Sequence, residues 1–458
     1  MQEDTIAAIA TSVAGAGGIG IVRISGDASE GICRTLFRAK HRVAEFKSHH
    51  LYHGDLISQK SETVIDEVLI SLMKAPHSYT GEDVLEIHCH GSPLILQAVL
   101  QETCLVGARL AGPGEFTRRA FVNNRIDLAQ AEAIADLITA KTERGLQQAI
   151  AVLKGTLTEK IKGFRSSLLD VAVYLETSID FSEEDDIDLS REEPCSILQS
   201  VRNSIEEITA TYQTGRMYRE GFNVVITGRP NVGKSSLLNR LAGERRAIVT
   251  AVPGTTRDFI DAEIRIKGVP VRFTDTAGIR TVDEPLEREG VDHAWERAAQ
   301  ADLVLVLLDG HVEFSDDDRE IMEKHRTKRR IVVVNKIDLP PRWSSDAVKD
   351  MFPEIEPLFV SAKAGTGIET LKDEIYRHTH FDEGHESEVL LANLRHRVAL
   401  EEAADAVGRA VRCLEDGASP ELPACDVKKA ITLLDGITGE SIDDEVLDRI
   451  FSNFCIGK

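Results

Sequence analysis

The chain has 458 residues, 42% hydrophobic and 28% charged, a balance that suits about three globular domains and excludes a mostly disordered polymer. Lys and Arg number 54 against 76 Asp and Glu, so the net charge of −22 excludes a generally basic nucleic-acid coat, and any RNA contact must be local or shared. No run of about 18 apolar residues is present, the first four residues lack the basic-then-apolar layout of a secretory signal, and the seven scattered cysteines contain no CxxC pair; a reduced, cytoplasmic protein is expected, with no membrane contact, disulfide framework or structural zinc site.

Residues 1–118 carry Gly-punctuated apolar runs at 6–10, 19–24, 68–73 and 84–88, which predict strands, and helical spacing after a Ser-Pro start at 92–103. This zone reads as α+β. Residues 119–215 become helical, with apolar positions every three or four residues over 128–140, 142–153 and 157–175, an acidic run at 183–188 read as a solvated linker, and a further helix opened by Pro194. From 216 to 380 short apolar runs (223–227, 269–273, 303–308, 331–334, 358–360) alternate with helical patterns, which predicts a mainly parallel sheet covered on both faces. Helical spacing returns over 381–458, at 389–415, 426–435 and 443–454. The expected architecture is therefore multidomain, α/β plus α: an α+β domain, then a helical domain interrupted by an inserted Ras-like α/β domain.

The inserted zone carries five ordered motifs. Gly228-Arg229-Pro230-Asn231-Val232-Gly233-Lys234-Ser235, followed by Ser236, matches GxxxxGK[ST] between a predicted strand and helix. Backbone N–H groups at such a helix start suit a polyphosphate. Lys234 is expected at the β/γ-phosphates and the Ser235 hydroxyl on Mg²⁺. Next comes Thr250-Ala251-Val252-Pro253-Gly254-Thr255-Thr256, where Thr256 can join the Mg²⁺ shell. Asp275-Thr276-Ala277-Gly278 follows a strand and can reach the metal through water and the γ-phosphate through Gly278. Asn335-Lys336-Ile337-Asp338 offers a carboxylate to guanine N1–H and N2–H₂, which adenine cannot supply, and Ser361-Ala362-Lys363 offers a backbone N–H to guanine O6. A Gly-rich turn explains the first motif alone; it does not explain five in order, which point to GTP. Ile279 follows the DTAG, and a hydrophobic side chain cannot orient the attacking water, so another group must.

The ordered set resembles TRAFAC-class GTPases of the Era-like branch. Blocks outside it resemble the MnmE/TrmE family of tRNA-modification GTPases: Asp4 to Thr11, Gly18 to Gly26, Tyr79-Thr80-Gly81-Glu82-Asp83-Val84-Leu85-Glu86, Gly112 to Thr117, Asp127 to Ala133, and the terminal Phe454-Cys455-Ile456-Gly457-Lys458. The resemblance implies a homodimer that works with the flavoprotein MnmG to place an aminomethyl or carboxymethylaminomethyl group on C5 of the tRNA wobble uridine. A tetrahydrofolate, as the 5-formyl or 5,10-methylene form, supplies the carbon, while FAD and NADH belong to the partner. It also implies folate binding by Arg23, Glu86, Arg125 and Lys458, K⁺ held by Asn231, Thr250, Val252 and Thr255, and a catalytic Glu287 that acts on water in place of the missing glutamine. The Cys455 to Lys458 tail is expected to fold back to the folate pocket. Apart from the resemblance, the four folate positions read as ordinary surface ion pairs, Cys455 as a small packed residue, and His88-Cys89-His90 as alternating strand residues rather than a metal site. A GTPase acting in ribosome assembly is the competing reading; it would carry a basic RNA-binding domain, and no KH-type GXXG loop is evident.

Overall fold

The computed structural model describes residues 4–11, 17–140, 142–180, 191–243, 261–275, 301–342, 352–353, 355–379, 390–452 and 454–457. The chain divides into two units, one formed by Met1–Thr139, Gln148–Glu207 and Arg395–Lys458, the other by Ala140–Gln147 and Ile208–Leu394.

The first unit begins with β1 (Thr5–Ile9), β2 (Gly17–Ser25), α1 (Ser29–Leu36), β3 (Phe37–Ala39), β4 (His50–Ile57), β5 (Val64–Met73), β6 (Val84–Gly91), α2 (Pro93–Leu105), β7 (Ala108–Leu110) and α3 (Glu115–Val122). The strands form one sheet in the order β3-β4-β5-β6-β2-β1-β7, antiparallel except for the β1–β7 pair. Side chains alternate across it. Val22, Ile24, Ile70, Leu72, Leu85, Ile87 and Cys89 enter one core with Ile32, Leu36, Leu96 and Val99 of α1 and α2. Pro93 sits in the first turn of α2, where its missing N–H costs nothing. Helices α4 (Leu128–Thr139), α5 (Glu143–Leu153), α6 (Thr156–Asp180) and α7 (Glu192–Ala210) follow. The helical pattern opened by Pro194 is divided at Thr211, between α7 and the next helix, and the Thr211 hydroxyl donates to Ile208 O at 2.7 Å.

The second unit contains α8 (Tyr212–Glu220), β8 (Phe222–Thr227), α9 (Lys234–Ala242), β9 (Asp261–Ile266), β10 (Val269–Asp275), β11 (Leu303–Asp309), α10 (Asp316–Lys324), β12 (Arg330–Asn335), β13 (Leu358–Phe359) and α11 (Ile368–His378). Its sheet runs β13-β12-β11-β8-β10-β9, parallel except for β9, an antiparallel edge. All seven residues of β11 are buried, as an apolar run between two covered faces should be. Strand β8 pairs with β10 on one side and β11 on the other, so the chain changes direction across the sheet there. In folds of this kind ligands occupy the crevice at the carboxyl ends of the strands.

The chain returns to the first unit with α12 (Leu394–Glu415), α13 (Glu421–Thr438) and α14 (Asp444–Phe451). Helix α12 buries Leu400, Ala403, Val407, Val411 and Leu414, and small residues (Ala404, Ala406, Gly408, Ala410) carry the burial further round the helix; α13 packs along α6. One ionic cluster is buried among these helices. Arg395 clasps Glu132 through Nε–Oε1 (3.0 Å) and Nη2–Oε2 (2.7 Å), and His396 Nε2 lies 2.6 Å from Oε2. The same guanidinium donates to the carbonyls of Gly436 and Ile437 at the end of α13. Burial alone would raise the pKa of Glu132, but His396 and Arg395 together hold it down at about 2.

Candidate functional site

Two groups of expected residues can be followed in the structure, one in each unit. In the second unit, the loop from Gly228 to Gly233 leaves β8 and opens α9. Both glycines have positive φ, and a Cβ at either would collide, with Leu307 O at Gly228 and with the Asn335 amide at Gly233. Lys234 Nζ donates to Gly228 O (2.8 Å) and Arg229 O (2.9 Å), so the ammonium lies over the loop it follows. Asn335 joins two motifs with one buried amide: Nδ2 donates to Val232 O at 2.8 Å, and Oδ1 accepts from Ala362 N at 3.0 Å. Lys336 Nζ donates to Asn231 O at 2.8 Å and to Asp309 at 2.6 Å. Ser361 Oγ donates to Asp338 at 2.6 Å, which holds that exposed carboxyl below its ordinary range. Asn231, Val232, Gly233, Lys234, Asn335, Lys336, Asp338, Ser361 and Ala362 are thus linked at the carboxyl ends of β8, β11, β12 and β13.

Four supporting residues escape the motif reading. Asp309 ends β11 in register with Asn335 and anchors Lys336; an Asp closing a fully apolar strand is the signal that could have found it. Arg229, within the P-loop, donates through Nε to the buried Asp318 at 2.8 Å, and Asp318 also forms the capping box of α10 with Ser315. Arg240 on α9 donates to the carbonyls of Ala362 (2.9 Å) and Lys363 (2.5 Å). Ser315-Asp316-Asp317-Asp318 is legible as a helix start, but no local pattern ties Asp318, Arg229 or Arg240 to the site. Thr250, Ala251, Val252, Pro253, Gly254, Thr255, Thr256, Thr276, Ala277, Gly278 and Glu287 lie outside the described residues, as does the side chain of Asp275.

In the first unit, Arg23 on β2 stands opposite Glu86 on β6 in the ladder. Its Nε and Nη2 both reach Glu86 Oε1 at 2.9 Å, and its guanidinium lies 5.4 Å from the Tyr79 ring centroid and 5.9 Å from that of Phe116. His88 beside it and then Arg23 keep the Glu86 carboxyl below its ordinary pKa against the effect of burial. Arg125 Nε donates to Ser78 O at 3.2 Å, on the loop that carries Tyr79. The tail reaches the same region. Ile456 bridges to Pro113, Gly114 N donates to Cys455 O at 3.4 Å, and Gly457 O accepts from Arg23 Nη1 at 3.4 Å. Lys458 lies outside the described residues. His88-Cys89-His90 diverge: Cys89 Sγ donates to Gly20 O in the core, whereas His90 pairs with Asp66. The half-buried carboxylate thus stands beside a guanidinium that lies near two aromatic rings, a pairing of charged and aromatic groups that can take a small polar ligand.

A parallel sheet with a P-loop after β8, and with NKxD and SAK loops converging on it, defines a P-loop guanine-nucleotide hydrolase. The family profile described as "MnmE helical domain" matches residues 128–455, and that described as "GTP-binding protein TrmE N-terminus" matches residues 5–125. Among curated proteins, the "tRNA modification GTPase MnmE" of Syntrophus aciditrophicus (strain SB) is 50% identical over 459 residues, covering 100% of both chains. The protein of that name from Symbiobacterium thermophilum is 45% identical, covering 100% of both. That from Alkaliphilus oremlandii (strain OhILAs) is 42% identical, covering 100% of this chain and 99% of its own. The chain belongs to the MnmE family of tRNA modification GTPases. This membership favours tRNA modification over ribosome assembly.

Proposed function

We propose that the protein is a cytoplasmic, homodimeric, K⁺-dependent GTPase that acts with the flavoprotein MnmG at C5 of the tRNA wobble uridine. The pair adds an aminomethyl or carboxymethylaminomethyl group, with a tetrahydrofolate supplying the one-carbon unit and the partner supplying FAD and NADH. In this reading Lys234 exchanges its two loop carbonyls for β/γ-phosphate oxygens, which are charged and accept more strongly. Ser235, in the first turn of α9, and Thr256 present the hard oxygen donors that Mg²⁺ takes. Asn231, Thr250, Val252 and Thr255 hold K⁺, whose charge offsets the negative charge that develops during hydrolysis. Guanine is read by Asp338 and by the Ser361–Lys363 loop. Glu287 orients the attacking water through a second water. Arg23, Glu86, Arg125 and Lys458 hold the folate. The domain division that goes with this reading is 1–118, 119–215 with 381–458, and 216–380.

The observation that carries the folate half is the Arg23–Glu86 pair, joined by the Gly457 carbonyl from the far end of the sequence. Titration of the full chain with 5-formyl-tetrahydrofolate should give saturable binding. Binding of GTP analogues without it would overturn the folate assignment. Loss of wobble-uridine modification in tRNA from a deletion strain, restored by the gene, would support the pathway assignment; unchanged tRNA would overturn it.

A further inference from the structure

Glu86 and His88 lie on the face of β6 opposite the core residues Leu85, Ile87 and Cys89. Across the ladder Glu86 meets Arg23 and Ser71, and His88 meets Ile21 and Leu69. A carboxylate and an imidazole therefore stand side by side, with aliphatic residues flanking the imidazole. Arg23 takes Glu86 Oε1 with two nitrogens, while Oε2 faces His88 Nε2 at 3.4 Å. That approach lacks the geometry of a hydrogen bond. His88 Nε2 is shielded from solvent, and among the described residues it is the one buried side-chain nitrogen or oxygen with no hydrogen-bond partner. Such groups are rare in folded proteins because an unpaired buried polar atom loses its hydration without compensation. The neighbouring carboxylate oxygen favours the tautomer with the proton on Nε2, since two facing lone pairs repel. The result is an acceptor beside a donor that only a long 3.4 Å approach engages; a small turn of the imidazole would present the two as the complement of a ring edge in which N–H adjoins C=O.

We propose that His88 Nε2 donates a hydrogen bond to the 4-oxo group of the bound pteridine while Glu86 accepts from the adjoining ring N–H, so that His88 selects 4-oxo over 4-amino pteridines. The proposal rests on the tetrahydrofolate reading above. A neutral 4-amino ring inverts the pattern at both positions: its amino group would face the His88 N–H donor to donor, and its ring nitrogen, now without hydrogen, would face the Glu86 carboxylate acceptor to acceptor. A site built to pair with one polar group discriminates more sharply than an apolar wall does.

The test is calorimetric titration of the full-length protein with 5-formyl-tetrahydrofolate and with its 4-amino counterpart. Wild type should prefer the 4-oxo ligand by about tenfold or more, the effect of one hydrogen bond gained or opposed. His88→Leu should bind the 4-oxo ligand about tenfold less tightly and lose the His88 share of the preference, about tenfold, while Glu86 keeps the remainder. His88→Gln, whose amide N–H₂ can donate toward the same ligand edge, should keep the full preference. Binding of a fluorescent GDP analogue and a thermal melt check that each variant is folded, and His88→Ala replaces the leucine variant should that one fail to fold. A folded His88→Leu or His88→Ala protein with wild-type affinity and preference overturns the role of His88 and leaves the folate site standing. Equal wild-type affinity for the two ligands does the same. A wild type that binds neither ligand overturns the folate reading itself, and this proposal with it.

Discussion

Replacing Glu132 with Gln should destabilise the first unit by roughly 3 kcal/mol at pH 7. The carboxyl has a pKa of about 2 in the fold against an ordinary 4.5. At 1.36 kcal/mol per pH unit, that difference is worth roughly 3 kcal/mol once the group is fully ionised in both states. Because the pKa is lower in the folded state, the contribution is complete above about pH 4.5 and fades as pH falls toward 2. The gap between wild type and Glu132→Gln should therefore narrow to about half by pH 3. The variant also leaves the Arg395 charge without its counter-ion in a buried setting, which acts in the same direction. Urea titrations followed by far-UV circular dichroism would measure the gap. A loss below 1 kcal/mol at pH 7, or one that stays constant down to pH 3, would refute the argument.

Other substitutions probe the nucleotide site. Asp338→Asn should weaken GTP at least tenfold and tighten xanthosine triphosphate, because an amide N–H₂ suits a carbonyl where the carboxylate suits an amine; competition against a fluorescent nucleotide reads both, and an unchanged preference would exclude Asp338 from base recognition. Glu287→Ala should leave GTP affinity within a few-fold and slow hydrolysis in K⁺ by tenfold or more, about 1.4 kcal/mol of barrier, while Asp283→Ala and Glu284→Ala do much less; a normal rate would pass the role to another group. Arg229→Ala should weaken GDP and GTP alike, about tenfold, without altering base preference, since it removes the tie between the P-loop and α10; stopped-flow nucleotide binding would show any selectivity change that contradicts this.

The readable parts of this fold are those whose burial leaves a local trace. The unbroken apolar run of β11 and the alternation in β6 are written in consecutive residues, and the P-loop needs its glycines at fixed spacing. Strand β9 went unread although its residues alternate polar and apolar, because three of its six are charged and Ala262 adds little to the apolar face. Strand β4 also went unread, since His50, His53 and Gly54 interrupt its apolar residues, although β3 and β5 flank it on both sides. Helix α1 spans only eight residues, too few for a firm period. In the candidate sites the same division holds. Motif residues are local, whereas Arg229–Asp318 and Arg240–Ala362 join positions 89 and 122 residues apart, and only the folded chain brings them together.

The contact between Arg23 and the Gly457 carbonyl spans 434 residues and carries a consequence for folding order. Closing a loop of that length from an open chain would cost about 5 kcal/mol in chain entropy, far more than one hydrogen bond returns. It can form only after the sheet and the helices have already brought the two segments close. Docking of the tail is thus a late event in folding and an early one in local opening. The amide of Gly114, bonded to Cys455 O, should exchange with deuterium well before the amides of β6 and β2. A surface completed by such a segment can open and reclose at its edge while the sheet beneath it stays folded.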